Sequence, residues 1–261
     1  IIMYLICISI ISILTACDNI INDRHRTKNE AQQLAEKLIG EEVTFVETKE
    51  NKEDKEIVYV FKDARDNEFS IISVLVQQGL DGAAIGPYYC LVHDTYSSGV
   101  FASHKEEIIE ILEKYNLVEY MNYTHPFEVD VYNGEGVVGR NIDISVNEEY
   151  FKDNYEKNET LLKNVVAAGV EIDAVLSLNY HGNDMDTSYK NGYRYEHFNS
   201  GVGIRLCYVE KKMGANGNMF SVFDIAHFEF STSDDNRWTE ETLYEYMSEQ
   251  LDKSIRKDGE E

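Results

Sequence analysis

The sequence predicts an α+β fold, and three observations carry that prediction. Apolar residues at helical spacing alternate with groups of β-rich segments that follow one another without a helix between them. Helix-start signatures stand ahead of two of those patterns, at Thr27 with Glu30 and at Ser103 with Glu106. The turn dipeptide Asn133-Gly134 separates two alternating apolar stretches. A doubly wound parallel sheet would need a crossover helix after almost every strand, and strands in succession argue against it.

The first helix is expected from Thr27. Ala31, Leu34, Ala35 and Leu38 share one face, and Gly40 supplies a stop. Strands are expected at 43–48, 56–61 and 68–76, rich in Val, Ile, Phe and Tyr and separated by charged turns. The Gly-containing stretch 78–99 reads as a connection to a second helix, which opens at Ser103 and buries Ile108, Leu112 and Tyr115. Residues 28–120 therefore form a first α+β unit of αβββα type. After Pro126 a hairpin is expected, with Phe127, Val129 and Val131 on one arm and Ile142, Ile144 and Val146 on the other.

A helix from about residue 148 is expected to end near Ala168, stopped by Gly169, before strands at 170–178, 203–210 and 219–230. A closing helix follows Thr239, with Glu240 and Glu241 in its first turn and Leu243, Met247, Leu251 and Ile255 on one face. Residues 121–261 thus read as a second α+β unit of the same antiparallel-sheet type. The repeat is either an internal duplication or the chance recurrence of a helix followed by a meander.

Residues 1–16 carry no charged side chain and form an apolar run. The run is shorter than the roughly 18 to 20 apolar residues that a bilayer-spanning helix needs, and suits the core of a signal peptide. It ends at Leu14-Thr15-Ala16-Cys17. This resembles the lipobox of bacterial lipoproteins, and in acidity and small α+β units the chain is similar to surface lipoproteins of Gram-positive type. No Lys or Arg precedes the run, as one does in most such signals. The resemblance implies removal of residues 1–16 and attachment of acyl chains to Cys17, and two chains suffice for stable membrane anchoring. It also implies a tether at 17–27 and a body at the extracytoplasmic face of the cell membrane.

The formal charge of -24 argues against nucleic acid as a partner, and against broad contact with anionic lipid. It suits solubility at a crowded surface, or recognition of a basic partner. If Cys7 leaves with the signal and Cys17 takes lipid, Cys90 and Cys207 remain. An oxidising compartment permits them to pair, while their apolar flanks suit buried free thiols equally.

No nucleotide-binding Gly loop and no zinc-ligand spacing appears in the sequence, so no cofactor or metal is expected. The oxygen-rich stretch Asp184, Asp186, Ser188 departs from a calcium loop, which would place Gly at Tyr189 and Glu at Tyr195. His93 beside Asp94 is the best acid-base candidate, and Ser97-Ser98-Gly99 and Cys90 are the nucleophile candidates; none belongs to a catalytic signature.

Among the 18 Tyr, clusters stand at Tyr88, Tyr89 and Tyr96, and again at Tyr180, Tyr189, Tyr193 and Tyr195 with Phe198. Both clusters fall in segments read as connections. Such rings serve either as wet-edged core or as a recognition surface for a protein, peptide or glycan. The expected function is a non-enzymatic binding module. A cell-envelope hydrolase using a His/carboxylate pair is one alternative, and an immunity or inhibitor protein with an acidic face is another.

Overall fold

In the computed structural model, which describes residues 24–53, 55–80, 83–120, 141–146, 155–182, 193–195, 202–214 and 217–258, helix α1 (Lys28–Ile39) starts and stops where its capping residues set it. The Thr27 side chain accepts from the Glu30 amide while the Glu30 carboxylate accepts from the Thr27 amide, which satisfies two of the helix's open donors. Gly40 closes the helix at φ 72°, a left-handed conformation that glycine adopts without strain.

Strands β1 (Thr44–Asn51), β2 (Glu56–Lys62), β3 (Glu68–Leu80) and β4 (Ala83–Asp94) then form an antiparallel meander. The stretch 78–99, expected as a connection, is strand for most of its length. Gly79, Gly86 and Pro87 mask a strand whose second half, from Tyr88 to Asp94, pairs with β3 in continuous register.

Two short helices follow, α2 (Tyr96–Ser103) and α3 (Lys105–Lys114). The capping box expected at Ser103 does not form, because Ser103 is the last residue of α2 and its hydroxyl donates back to the Gly99 carbonyl at 3.0 Å. Gly99 lets α2 press onto β3: a Cβ there would lie 2.1 Å from the Glu68 carbonyl oxygen.

The second half contributes β5 (Asn141–Val146), α4 (Tyr155–Leu176), β6 (Tyr193–Tyr195), β7 (Gly203–Gly214), β8 (Gly217–Glu229) and α5 (Glu240–Asp258). The strand expected at 170–178 is the end of α4. Gly169 does not stop that helix; it is the place where the helix lies against the Phe228 ring. Buried Leu161, Leu162, Val165, Val166, Ala168, Ile172 and Leu176 keep helical spacing through it. Of the hairpin expected around Asn133-Gly134, the second arm is β5, while the first arm and the turn lie outside the described residues.

The strands form a five-stranded sheet, β1-β2-β3-β4-β6, and a three-stranded sheet, β5-β7-β8. The β4–β6 and β5–β7 pairs are parallel, so neither sheet is wholly antiparallel and the two halves differ in connectivity. The class is α+β. One core joins Leu38, Phe61, Ile71 and Cys90 of the first half to Leu162, Ile172, Ile204, Phe228 and Leu243 of the second.

Candidate functional site

Members of the two tyrosine clusters, Tyr88 and Tyr89 of the first and Tyr193 and Tyr195 of the second, meet on one sheet although about a hundred positions separate them. β6 pairs in parallel with β4, setting Tyr193 beside Cys90, Arg194 beside Leu91 and Tyr195 beside Val92. Tyr88 and Tyr89 stand just before that register on β4, half-buried. By the alternation of a strand, Tyr88 takes the same face as the Cys90 and Val92 positions and Tyr89 the other. Among the described residues β6 is the last strand of the sheet, so Tyr193 and Tyr195 stand at its edge, with Tyr88 and Tyr89 on the neighbouring strand.

Lys55, left-handed at φ 52°, lies with its ammonium 3.9 Å from the centre of the Tyr88 ring and donates to its hydroxyl. Tyr189 and Phe198 lie outside the described residues, as does Cys17.

Tyr96 does not belong to that surface, a correction to its expected role. Only 2% of it is exposed, because the chain turns into α2 at this residue and carries the ring into the core. Its ring meets Phe69 edge-on at 5.1 Å and stacks with Tyr180 at 6.3 Å and 7°. Its hydroxyl donates to Asp63 Oδ2 at 3.3 Å, and burial with the Asp63 charge pushes that hydroxyl up to about 12.

Asp63 also accepts from the Arg65 and Asn67 amides at 2.9 and 2.8 Å and from Asn67 Nδ2 at 2.9 Å. Tyr180, equally buried, donates to Asp94 Oδ2 at 3.0 Å, and Asp94 Oδ1 accepts from the Tyr96 amide. Two carboxylates thus hold two tyrosines, and the arrangement clasps the segment after α4 onto the first sheet. Only the turn-like spacing of Asp63, Arg65 and Asn67 hints at it in the sequence.

The acid-base candidates do not converge. His93 and Asp94 are successive residues of a strand, so their side chains leave on opposite faces, and both Asp94 oxygens serve the tyrosine clasp. His181 is exposed beside Gly40, with its amide on the Leu38 carbonyl at 2.7 Å. Ser97 and Ser98 are buried in α2.

Cys90 has no exposed surface; its sulfur lies 3.2 Å from Ser73 Oγ, which accepts from the Arg26 amide at 3.0 Å. His25 Nδ1 is 3.1 Å from the Ser73 carbonyl, and burial lowers the affinity of its ring for a proton. These contacts dock the segment ahead of α1 onto β3 and give the thiol a packing role. Cys90 and Cys207 are not bridged by a disulfide and are buried in different sheets.

A second acidic centre is also internal. Asp173, near the end of α4, accepts from the Ser231 amide at 2.6 Å and lies 3.6 Å from the Arg237 guanidinium. Desolvation raises its carboxyl above the ordinary range despite those partners. Among the described residues no helix is long and apolar enough to cross a membrane. Compared with protein-family models, curated proteins and solved structures, the chain matches none.

Proposed function

We propose that this chain is an extracytoplasmic lipoprotein, anchored through acyl chains on Cys17, whose α+β body binds a protein, peptide or glycan without catalysing a reaction. The observation that carries the binding role is the β4–β6 pairing, which draws Tyr88, Tyr89, Tyr193 and Tyr195 to one sheet edge. An edge strand with aromatic neighbours offers both backbone hydrogen bonds and rigid amphipathic rings to a partner.

The opposite faces taken by His93 and Asp94 favour this reading over a hydrolase built on that pair. The anchor reading rests on the apolar run and Leu14-Thr15-Ala16-Cys17. The docked segment at 24–27 supports a short leash: residues 18–23 reach at most about 20 Å when extended.

The test is binding of the full-length protein to isolated cell-envelope material, compared with Tyr88→Ala, Tyr193→Ala and Tyr195→Ala. Each substitution is expected to weaken binding by about tenfold, as loss of an aromatic anchor does, while the denaturation midpoint shows that the fold survives. Undiminished binding by all three variants removes this edge as the contact surface.

A further inference from the structure

Helices α4 and α5 lie side by side and leave an open groove of about 690 Å³ between them. Its apolar lining is Val166 and Ala167 of α4 and the half-buried Tyr244 of α5, whose ring rests on the core. Its rim carries Glu240, Glu241 and Glu245, all exposed.

Elsewhere on the helix surfaces Glu159, Glu171 and Glu249 are each neutralised by a lysine, at 2.6, 2.5 and 2.7 Å. Among the described residues the three rim carboxylates meet no cation, and Lys163, which also borders the groove, is held by Glu159. The dipole of α5 accounts for Glu240 and Glu241 in its first turn. It does not account for Glu245, a turn further along beside the apolar lining.

We infer that this groove is the docking site for a basic, amphipathic segment of a partner protein. The apolar side chains of that segment lie on Val166, Ala167 and Tyr244, while its lysines or arginines meet the three carboxylates. Nucleic acid and anionic lipid are repelled by those charges. A groove between two helices, apolar below and charged along one rim, matches the way an amphipathic helix seats itself. The net charge of -24 steers such a segment toward the molecule, and the groove decides where it lands. The inference is independent of the lipid anchor and of the tyrosine edge.

The full-length protein, in non-ionic detergent at physiological salt, is titrated with a synthetic helical peptide of Lys and Leu. Two triple variants lose the same charge: Glu240→Gln with Glu241→Gln and Glu245→Gln in the groove, and Glu106→Gln with Glu110→Gln and Glu113→Gln on α3. Ala167→Phe fills the groove without changing charge, and its thermal unfolding is followed in parallel.

The groove triple and Ala167→Phe are each expected to weaken binding by about tenfold, and the α3 triple by less than about twofold. Equal weakening by the two triples, or full binding by a folded Ala167→Phe protein, overturns the inference. So does spermine binding as tightly as the peptide, because the apolar lining then contributes nothing.

Discussion

Glu30 shows how much a single side chain can do at the entry to a fold. It accepts from the Arg24 guanidinium at 2.7 and 2.9 Å, from the Thr27 amide and from the Thr27 hydroxyl. The Arg24 hydrogen bonds, with those from Thr27, hold its carboxyl at about 2, well below the ordinary 4.5. A depressed carboxylate contributes stability that is fully present above its unfolded value and fades as pH falls through the folded one. Glu30→Gln is therefore expected to cost about 1 kcal/mol at neutral pH, the usual worth of a helix cap. The difference from the parent, followed by urea denaturation, should close between pH 4.5 and about 2. Because Glu30 is 31% exposed, solvent screening keeps the cost below what the shift alone would imply. A gap that persists unchanged in acid would contradict this role. The box at Thr27 and Glu30 was legible because all its members lie within one turn. The Tyr180 to Asp94 bond was not, since its partners are 86 residues apart. Tyr180→Phe should destabilise by about 1–3 kcal/mol, because it leaves a buried carboxylate short of a donor. A midpoint equal to the parent's in urea would show that Asp94 is satisfied without it.

At the scale of elements, local pattern and tertiary contact compete, and Gly169 is where they can be separated. In an isolated helix, Gly to Ala gains up to about 1 kcal/mol. Here a Cβ would stand 2.4 Å from Phe228 Cζ, and that ring is wedged edge-on between Phe230 and Trp238 with 1% of its surface exposed. The clash should win, so Gly169→Ala is expected to lower stability by about 1–3 kcal/mol with an unchanged denaturant slope. A stabilised variant would mean that α4 and β8 part more easily than their packing implies. The same contact overrides the strand that the sequence predicts at 170–178. Its alternating Val, Ile and Leu fit a period of two as well as a helix, and the glycine ahead of them looked like a stop. β4 was hidden for the converse reason: Gly and Pro near its start resemble punctuation, while the register that makes it a strand is set by β3. Helix α1 carries both caps and a single apolar face, α5 an acidic first turn and a single apolar face, and both stand where their patterns put them.

For the molecule as a whole, the division read at residue 120 is crossed by one core and by a row of polar ties. The segment at the end of α4 supplies most of them. The Leu176 carbonyl accepts from Arg65 at 2.8 Å, Asn179 donates to the Ile39 carbonyl at 3.0 Å, and the His181 amide donates to Leu38. Unfolding should therefore be a single event. Fluorescence of Trp238, in the second half, and hydrogen exchange of β3 amides, in the first, should give coincident urea transitions. Separate midpoints would mean that the halves fold independently. Helical period, strand succession and capping made the α+β class legible, whereas the joining of β6 to β4 and the shared core depend on contacts that no local pattern carries. In the proposed function this body is held to a membrane through Cys17. Expression in a bacterial host with labelled palmitate, followed by mass analysis of the N-terminal peptide, tests it directly. The parent should carry label on a new N-terminal Cys17 and sediment with membranes, and Cys17→Ser should carry none; label that persists in Cys17→Ser would contradict the claim.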